Sequence, residues 1–153
     1  MKRAHQVAVL TLVAIYAVAS SLLTAANRGW YDALETPPFQ PPDLVFALIW
    51  PLNFVLIVVC GVLYCQQARP ASARVFVGSL AVGIAAALVW AWCFYQAHWL
   101  ISAALFLLLA ATASWLLVLI AARSHALLGV GLAVHATWLS LATALAFSYA
   151  YLN

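Results

Sequence analysis

The side chains best suited to chemistry in this sequence are aromatic. Tryptophan, tyrosine and phenylalanine make up 13% of the residues, and seven of them are tryptophans. Several recur at spacings that place side chains on one face of a helix. The series are Phe46, Trp50 and Phe54; Trp90 and Phe94; and Trp138, Ala142, Leu145 and Tyr149. Three such faces could converge to wall a pocket for a flat apolar ring system, although the same spacing is also typical of ordinary core packing.

Titratable and metal-ligating residues offer little by comparison. No carboxylate falls within an apolar stretch, which disfavours ion-coupled transport. Of the four histidines only His135 lies inside a predicted helix, where a lone histidine is more often hydrogen-bonded packing than a ligand. Cys60, Cys65 and Cys93 lack zinc spacing and are predicted to be buried small hydrophobes. The sequence therefore predicts no catalytic residue and no metal site.

The composition indicates which solvent surrounds these residues. Hydrophobic residues make up 69% of the 153, charged residues only 6%, and the mean hydropathy is +1.10. So few charges cannot cover a water-soluble globule, so the surface must face a lipid bilayer. The six basic residues form no run suited to nucleic acid. The predicted fold is an all-α, integral membrane bundle of five transmembrane helices in one domain, 1–153, with spans near 6–26, 44–66, 75–95, 99–122 and 127–151.

Charge asymmetry predicts an orientation for five retained spans. The basic residues that would share one side are Lys2, Arg3, Arg69, Arg74 and Arg123; Arg28, Asp32, Glu35 and Asp43 would lie on the other. In an inner or plasma membrane, this places the amino terminus in the cytoplasm and the 27–43 loop and carboxyl terminus outside. The first span also resembles a signal peptide, and on that alternative a mature protein of four helices would begin near Asn27.

Two further patterns concern packing. The 27–43 loop contains Pro37, Pro38, Pro41 and Pro42, which either make it stiff enough to act as a lid or simply stop the helices at the membrane surface. Ser79, Gly83 and Ala87 form a small-residue stripe on the third span. Such a stripe allows close approach of another helix, either within the chain or across a homodimer.

Several motifs together resemble one family. Trp30-Tyr31-x-x-Leu34-x-x-Pro37-x-x-x-Pro41-Pro42-x-x-Val45-Phe46-x-x-x-Trp50 resembles the first loop and second-helix start of the TspO/MBR family, tryptophan-rich sensory proteins related to the mitochondrial translocator protein. Trp90 with Phe94-Tyr95 is similar to its third helix. Trp138-x-x-x-Ala142-x-x-Leu145, with the closing Leu152-Asn153, is similar to its fifth. The chain departs from the family pattern where it has Ala87 for an Asn, Asn53-Phe54 for Leu-Tyr, and Leu145-Ala146 for Leu-Asn.

The resemblance implies a five-helix bundle, often dimeric, that binds porphyrins and other flat hydrophobic ligands beneath the first loop. It implies a receptor or carrier that senses or regulates tetrapyrrole levels, with protoporphyrin IX or haem as ligand and no required cofactor. Two alternatives stay open: light- and oxygen-dependent porphyrin breakdown with pocket tryptophans as redox partners, or a structural bundle without a small ligand. The predicted ligand-binding residues are Tyr31, Pro41, Phe46, Trp50, Phe54, Ala87, Trp90, Phe94, Trp138, Ala142 and Leu145.

Overall fold

The computed structural model describes residues 2–25 and 27–153, and these residues form helices and no strand. The elements are α1 (Lys2–Ala25), α2 (Arg28–Asp32), α3 (Asp43–Gln67), α4 (Pro70–Tyr95), α5 (Leu100–Ala122) and α6 (Ala126–Leu152). All except the short α2 are long and apolar enough to cross a membrane. The predicted all-α bundle of five spans is confirmed, and the protein is an integral, multi-pass membrane protein.

The helix boundaries differ from the predicted spans mainly at α4. That helix begins at Pro70 rather than near residue 75. Proline is suited to the first turn of a helix, because the backbone N–H groups there have no acceptor within the helix and proline has no N–H. The loop predicted over 27–43 also contains α2, which the sequence pattern did not indicate. The predicted end of the first span, at residue 26, lies outside the described residues.

The five long helices close into a ring. Helix α1 packs against α3 and α4, α5 lies between α4 and α6, and α6 packs against α3. Large apolar side chains cover the outside of the ring; Leu22 and Leu127, for example, are 70% and 71% exposed. A surface of this kind is stable only against lipid, which agrees with the bilayer inferred from composition.

Hydrogen bonds show which helix ends lie together. Lys2 Nζ donates to the backbone oxygen of Gln66 at 2.8 Å, which joins the start of α1 to the end of α3. Asn27 Nδ2 donates to the backbone oxygen of Tyr95 at 2.9 Å, which joins the opposite end of α1 to the end of α4. The basic residues near Lys2 therefore lie at one end of the bundle and the proline-containing loop lies at the other.

Glycines allow the helices to approach closely at the Lys2 end. A Cβ on Gly129 would lie 2.6 Å from the Cβ of Ala122, and one on Gly131 would lie 2.6 Å from Cys60 Sγ. In the small-residue stripe, a Cβ on Gly83 would lie 3.3 Å from the Cβ of Ala113. Gly83 therefore packs against α5 within the chain, and a homodimer through α4 stays a prediction.

Gly129→Ala is expected to lower the melting temperature in detergent. The added methyl group must displace the end of α5, and such overpacking costs about 1–3 kcal/mol. Gly78→Ala is the matched control, because a Cβ added at Gly78 would have no heavy atom within 4 Å. In the control, the better helix propensity of alanine, worth up to about 1 kcal/mol, acts alone, and stability should hold or rise. Equal shifts for the two variants would contradict this account of the α5–α6 contact.

Candidate functional site

A cavity of about 460 Å³ lies beneath the loop that precedes α3, between α1, α3, α4 and α6. Pockets for small molecules typically measure about 300–1,000 Å³. The predicted residues that line it are Tyr31, Phe46, Trp50, Phe54, Trp90, Phe94, Trp138, Ala142 and Leu145. The three aromatic faces recognised in the sequence therefore do converge on one cavity.

Two predicted residues do not line the cavity. Ala87 is buried in the bundle, on the face of α4 that also carries Ile84 and Ala91. Pro41 is half-buried in the chain just before α3 and is not part of the wall. Ala87 carries only a methyl group, and the larger Trp90 side chain one turn further along α4 lines the cavity instead.

The rings of α3 and α6 touch one another along the wall. The Trp138 ring lies edge-on to Phe46, with ring centroids 5.3 Å apart, and edge-on to Trp50, at 6.5 Å. Trp50 and Phe54 are 5.9 Å apart along α3. Edge-to-face packing of this kind is favourable for aromatic pairs, so these rings form a continuous apolar wall, which we call the α3–α6 wall.

The opposite side of the cavity is formed by α4 and the residues next to it. Phe94 lies 6.4 Å from Trp90, measured between ring centroids, and 5.6 Å from Tyr149 of α6. Phe94 also contacts Trp30 of α2 at 5.6 Å. The Trp30 ring in turn stacks on His98, with centroids 3.9 Å apart, which fixes α2 to the connection between α4 and α5.

Polar residues that the sequence analysis missed also line the cavity. They are Ser20, Ser21 and Thr24 of α1, together with Arg28, Gln40 and Asp43. Ala17, Ser20, Ser21 and Thr24 are spaced so that they lie on one face of α1. This pattern was not interpreted as a binding face because small residues in this segment are also typical of a signal peptide. Since α1 ends at the loop, these groups make the loop end of the cavity polar.

The mouth of the cavity can be located from exposure. Ser21 of α1 and Asp43 and Ala47 of α3 line the cavity and are also exposed on the outside of the protein. The cavity therefore opens between α1 and α3, just below the loop.

The loop is fastened to the end of α6 by two sets of hydrogen bonds. The hydroxyls of Tyr31 and Tyr149 are 3.2 Å apart, and both donate to Gln40 Oε1. The Asn153 side chain pairs with the main chain of Glu35: it accepts from the Glu35 N–H at 2.8 Å and donates to the Glu35 oxygen at 3.2 Å. Pro37 is fully buried in the same loop. The loop is thus held over the cavity as a lid.

The Tyr31 hydroxyl is protonated over a wide pH range. Partial burial, together with the hydrogen bond to Tyr149, raises the pKa of the Tyr31 hydroxyl above its ordinary value. Folding thus favours the neutral phenol, and the resulting stabilisation is present below the unfolded pKa of about 10. It is lost as pH rises through the raised pKa.

Comparison with known proteins supports the resemblance seen in the sequence. The sequence profile of the TspO/MBR family matches residues 7–152. The chain belongs to the TspO/MBR family. A curated relative, the tryptophan-rich protein TspO of Bacillus cereus, is 45% identical over 40 residues. That match covers 26% of this chain and 26% of the relative, so it spans about a quarter of the relative's length.

The departures of this TspO/MBR protein from its family pattern can now be placed. Phe54 and Ala146 line the cavity. At these two positions the family pattern described above has Tyr and Asn. Ala87, which stands for an Asn, is in helix packing instead. The wall contributed by α3 and α6 is therefore more apolar than the family pattern implies, and the polar groups of this cavity come mainly from α1 and the loop.

Tyr149→Phe is expected to loosen the lid, because it removes the hydroxyl that contacts both Tyr31 and Gln40. A hydrogen bond contributes about 1 kcal/mol, which corresponds to about fivefold faster exchange of the Glu35 and Gln40 amide hydrogens by local opening. Hydrogen–deuterium exchange measures this directly. Tyr151→Phe is the matched control, since Tyr151 is 89% exposed on the same helix. Identical exchange in both variants would show that the hydroxyl does not hold the lid.

Proposed function

We propose that this protein is a membrane receptor or carrier that binds porphyrins or similar flat hydrophobic ligands and serves in sensing or regulating tetrapyrrole levels. Membership of the TspO/MBR family supports a membrane-embedded sensory or porphyrin-related role in general terms. The observation that carries the proposal is the convergence of Trp50, Trp90 and Trp138, from three different helices, on one cavity beneath the lid.

Burial is the main source of affinity in this proposal. Covering about 300 Å² of a planar ring system, at about 25 cal/mol per Å², yields roughly 7 kcal/mol before ordering costs. Without those costs, that free energy would correspond to a dissociation constant of roughly 3–10 μM, and the ordering costs weaken the binding from there. The α3–α6 wall suits such a ligand because indole and phenyl rings offer large, rigid, apolar contact surfaces.

The polar end of the cavity suits the edge of the same ligand. Porphyrins such as protoporphyrin IX carry carboxylates on one edge of an otherwise apolar ring. Arg28, at the loop end of the cavity, has a guanidinium group that can pair with a carboxylate. Thr24 and Ser21 offer hydroxyls beside it. The apolar part of the porphyrin would therefore enter the cavity first, and its carboxylate edge would stay near the mouth.

Replacing both Trp50 and Trp138 by alanine is expected to weaken protoporphyrin binding at least tenfold. The reason is the loss of two indole surfaces from the α3–α6 wall, since a loss of about 1.4 kcal/mol already corresponds to a factor of ten. Affinity is measured by quenching of the remaining tryptophan fluorescence in detergent. The control is Trp99→Ala, because Trp99 is 58% exposed and does not line the cavity.

Two results would count against the proposal. If the double variant binds protoporphyrin as tightly as the natural protein, the ligand does not lie against the α3–α6 wall. If neither porphyrin, haem nor sterol binds or raises the melting temperature of the natural protein, the bundle without a small ligand is the better interpretation.

We also propose that the lid faces outward when the protein is in an inner or plasma membrane. Support comes from the basic residues gathered at the Lys2 end, opposite Asp32, Glu35 and Asp43. Alkaline phosphatase, which is active only outside the cytoplasm, should be active when fused after Asn153, and green fluorescent protein fused there should be dark after export. A bright fluorescent fusion with an inactive phosphatase would reverse the orientation.

A further inference from the structure

Three polar side chains are buried in the membrane-spanning part of the bundle, on three different helices. Tyr16 of α1, Asn53 of α3 and His135 of α6 are 2%, 0% and 5% exposed. Among residues 2–25 and 27–153, no hydrogen-bond partner is found for the Tyr16 hydroxyl, for either amide atom of Asn53, or for His135 Nδ1. Such groups are costly in a bilayer, where no solvent can satisfy them.

The three side chains lie within about one helical turn of one another along the bundle. The Tyr16 and His135 rings are in edge contact, with centroids 6.4 Å apart. Cys60 lies against Gly131, which fixes how far α3 and α6 overlap. Helices α3 and α6 run in opposite directions. From the contact of Cys60 with Gly131 toward the loop, Asn53 lies about two turns away on α3 and His135 about one turn away on α6.

Two other buried polar side chains of the spans bond within their own helices, and Trp90 Nε1, which has no partner among the described residues, belongs to the cavity wall. Ser114 Oγ donates to the backbone oxygen of Ala110 at 2.9 Å, and Thr143 Oγ1 donates to that of Leu139 at 2.7 Å. A short hydroxyl side chain can reach the preceding turn of its own helix in this way. The Tyr16, Asn53 and His135 atoms make no such bond, so a partner for them must come from elsewhere.

These residues lie directly behind the α3–α6 wall. The Tyr16 ring is edge-on to Trp50, at a centroid distance of 6.0 Å, and to Phe54, at 5.3 Å. Trp138 follows His135 by one turn, and its Nε1 is a further buried donor without a partner among the described residues. A single layer of aromatic rings therefore separates Tyr16 from the cavity.

We propose that Tyr16, Asn53 and His135 form a second polar site, which holds a buried water molecule. The Tyr16 hydroxyl, the Asn53 amide and the Trp138 indole can donate, whereas the Asn53 oxygen and a neutral histidine nitrogen can accept. A buried water typically makes two to four such bonds. Water rather than an ion is expected, because the acidic and basic residues of the chain all lie at or near the ends of the long helices or in the loop. This site does not depend on porphyrin binding, and its test uses none.

A double-mutant cycle of Asn53→Leu and His135→Phe tests the site through stability. Each single change leaves the remaining groups and the bound molecule short of a partner, and it should lower the melting temperature in detergent by at least about 2–4 °C. The double variant should lose clearly less than the sum of the two. Thr143→Val is the control, because its hydroxyl bonds only to its own helix, and it should couple to neither. The proposal would be overturned if each single variant had a higher melting temperature and the double variant showed the sum of the two increases.

The second measurement detects the occupant in the unaltered protein, so it does not depend on any variant folding. In a solution NMR spectrum of the protein in detergent, magnetisation should pass from water to the carbon-bound ring protons of His135. Asn53→Leu, where it folds, should abolish that transfer. Absence of the transfer in the natural protein would overturn the proposal even if the cycle showed coupling, since the side chains would then contact one another directly.

Discussion

The structure depends on one constraint: the hydrocarbon around the helices offers no water to pair with a polar group that faces it. Backbone amides must therefore bond within each helix, which explains why long helices form almost the whole of this chain. Lipid tails are as apolar as the side chains of the bundle, so an apolar side chain gains little hydrophobic free energy when it moves from lipid to the space between helices. Close packing and a few hydrogen bonds then decide how the helices meet, and both are unevenly distributed here.

Packing makes the two ends of the bundle different. At the Lys2 end, Gly129 and Gly131 let α6 approach α5 and α3 until little space remains. Toward the loop, large rings on α3, α4 and α6 face the small side chains of Ala17 and Ser20 on α1. Rigid rings opposite small residues cannot fill the space between four helices, and a cavity is the physical result.

Helix α6 connects the parts of the site to one another. Trp138 contributes to the wall, Tyr149 bonds to the loop, and Asn153 holds the loop main chain. A movement of α6 would therefore alter the wall and the lid together. That arrangement suits a sensory member of the TspO/MBR family, because occupancy of a buried pocket could change the surface presented at the loop end.

The sequence by itself determined the five spans, the all-α class and the aromatic faces, because apolar runs and helical spacing are local properties. It also indicated most of the cavity wall. Only the tertiary structure decided that α1 turns its hydroxyl residues into the cavity, that Gln40 joins the two tyrosines, and that Ala87 and Pro41 stay off the wall. The physical reason is that spans surrounded by lipid are apolar on every side, so their sequences show which residues share a face but not which helix that face meets.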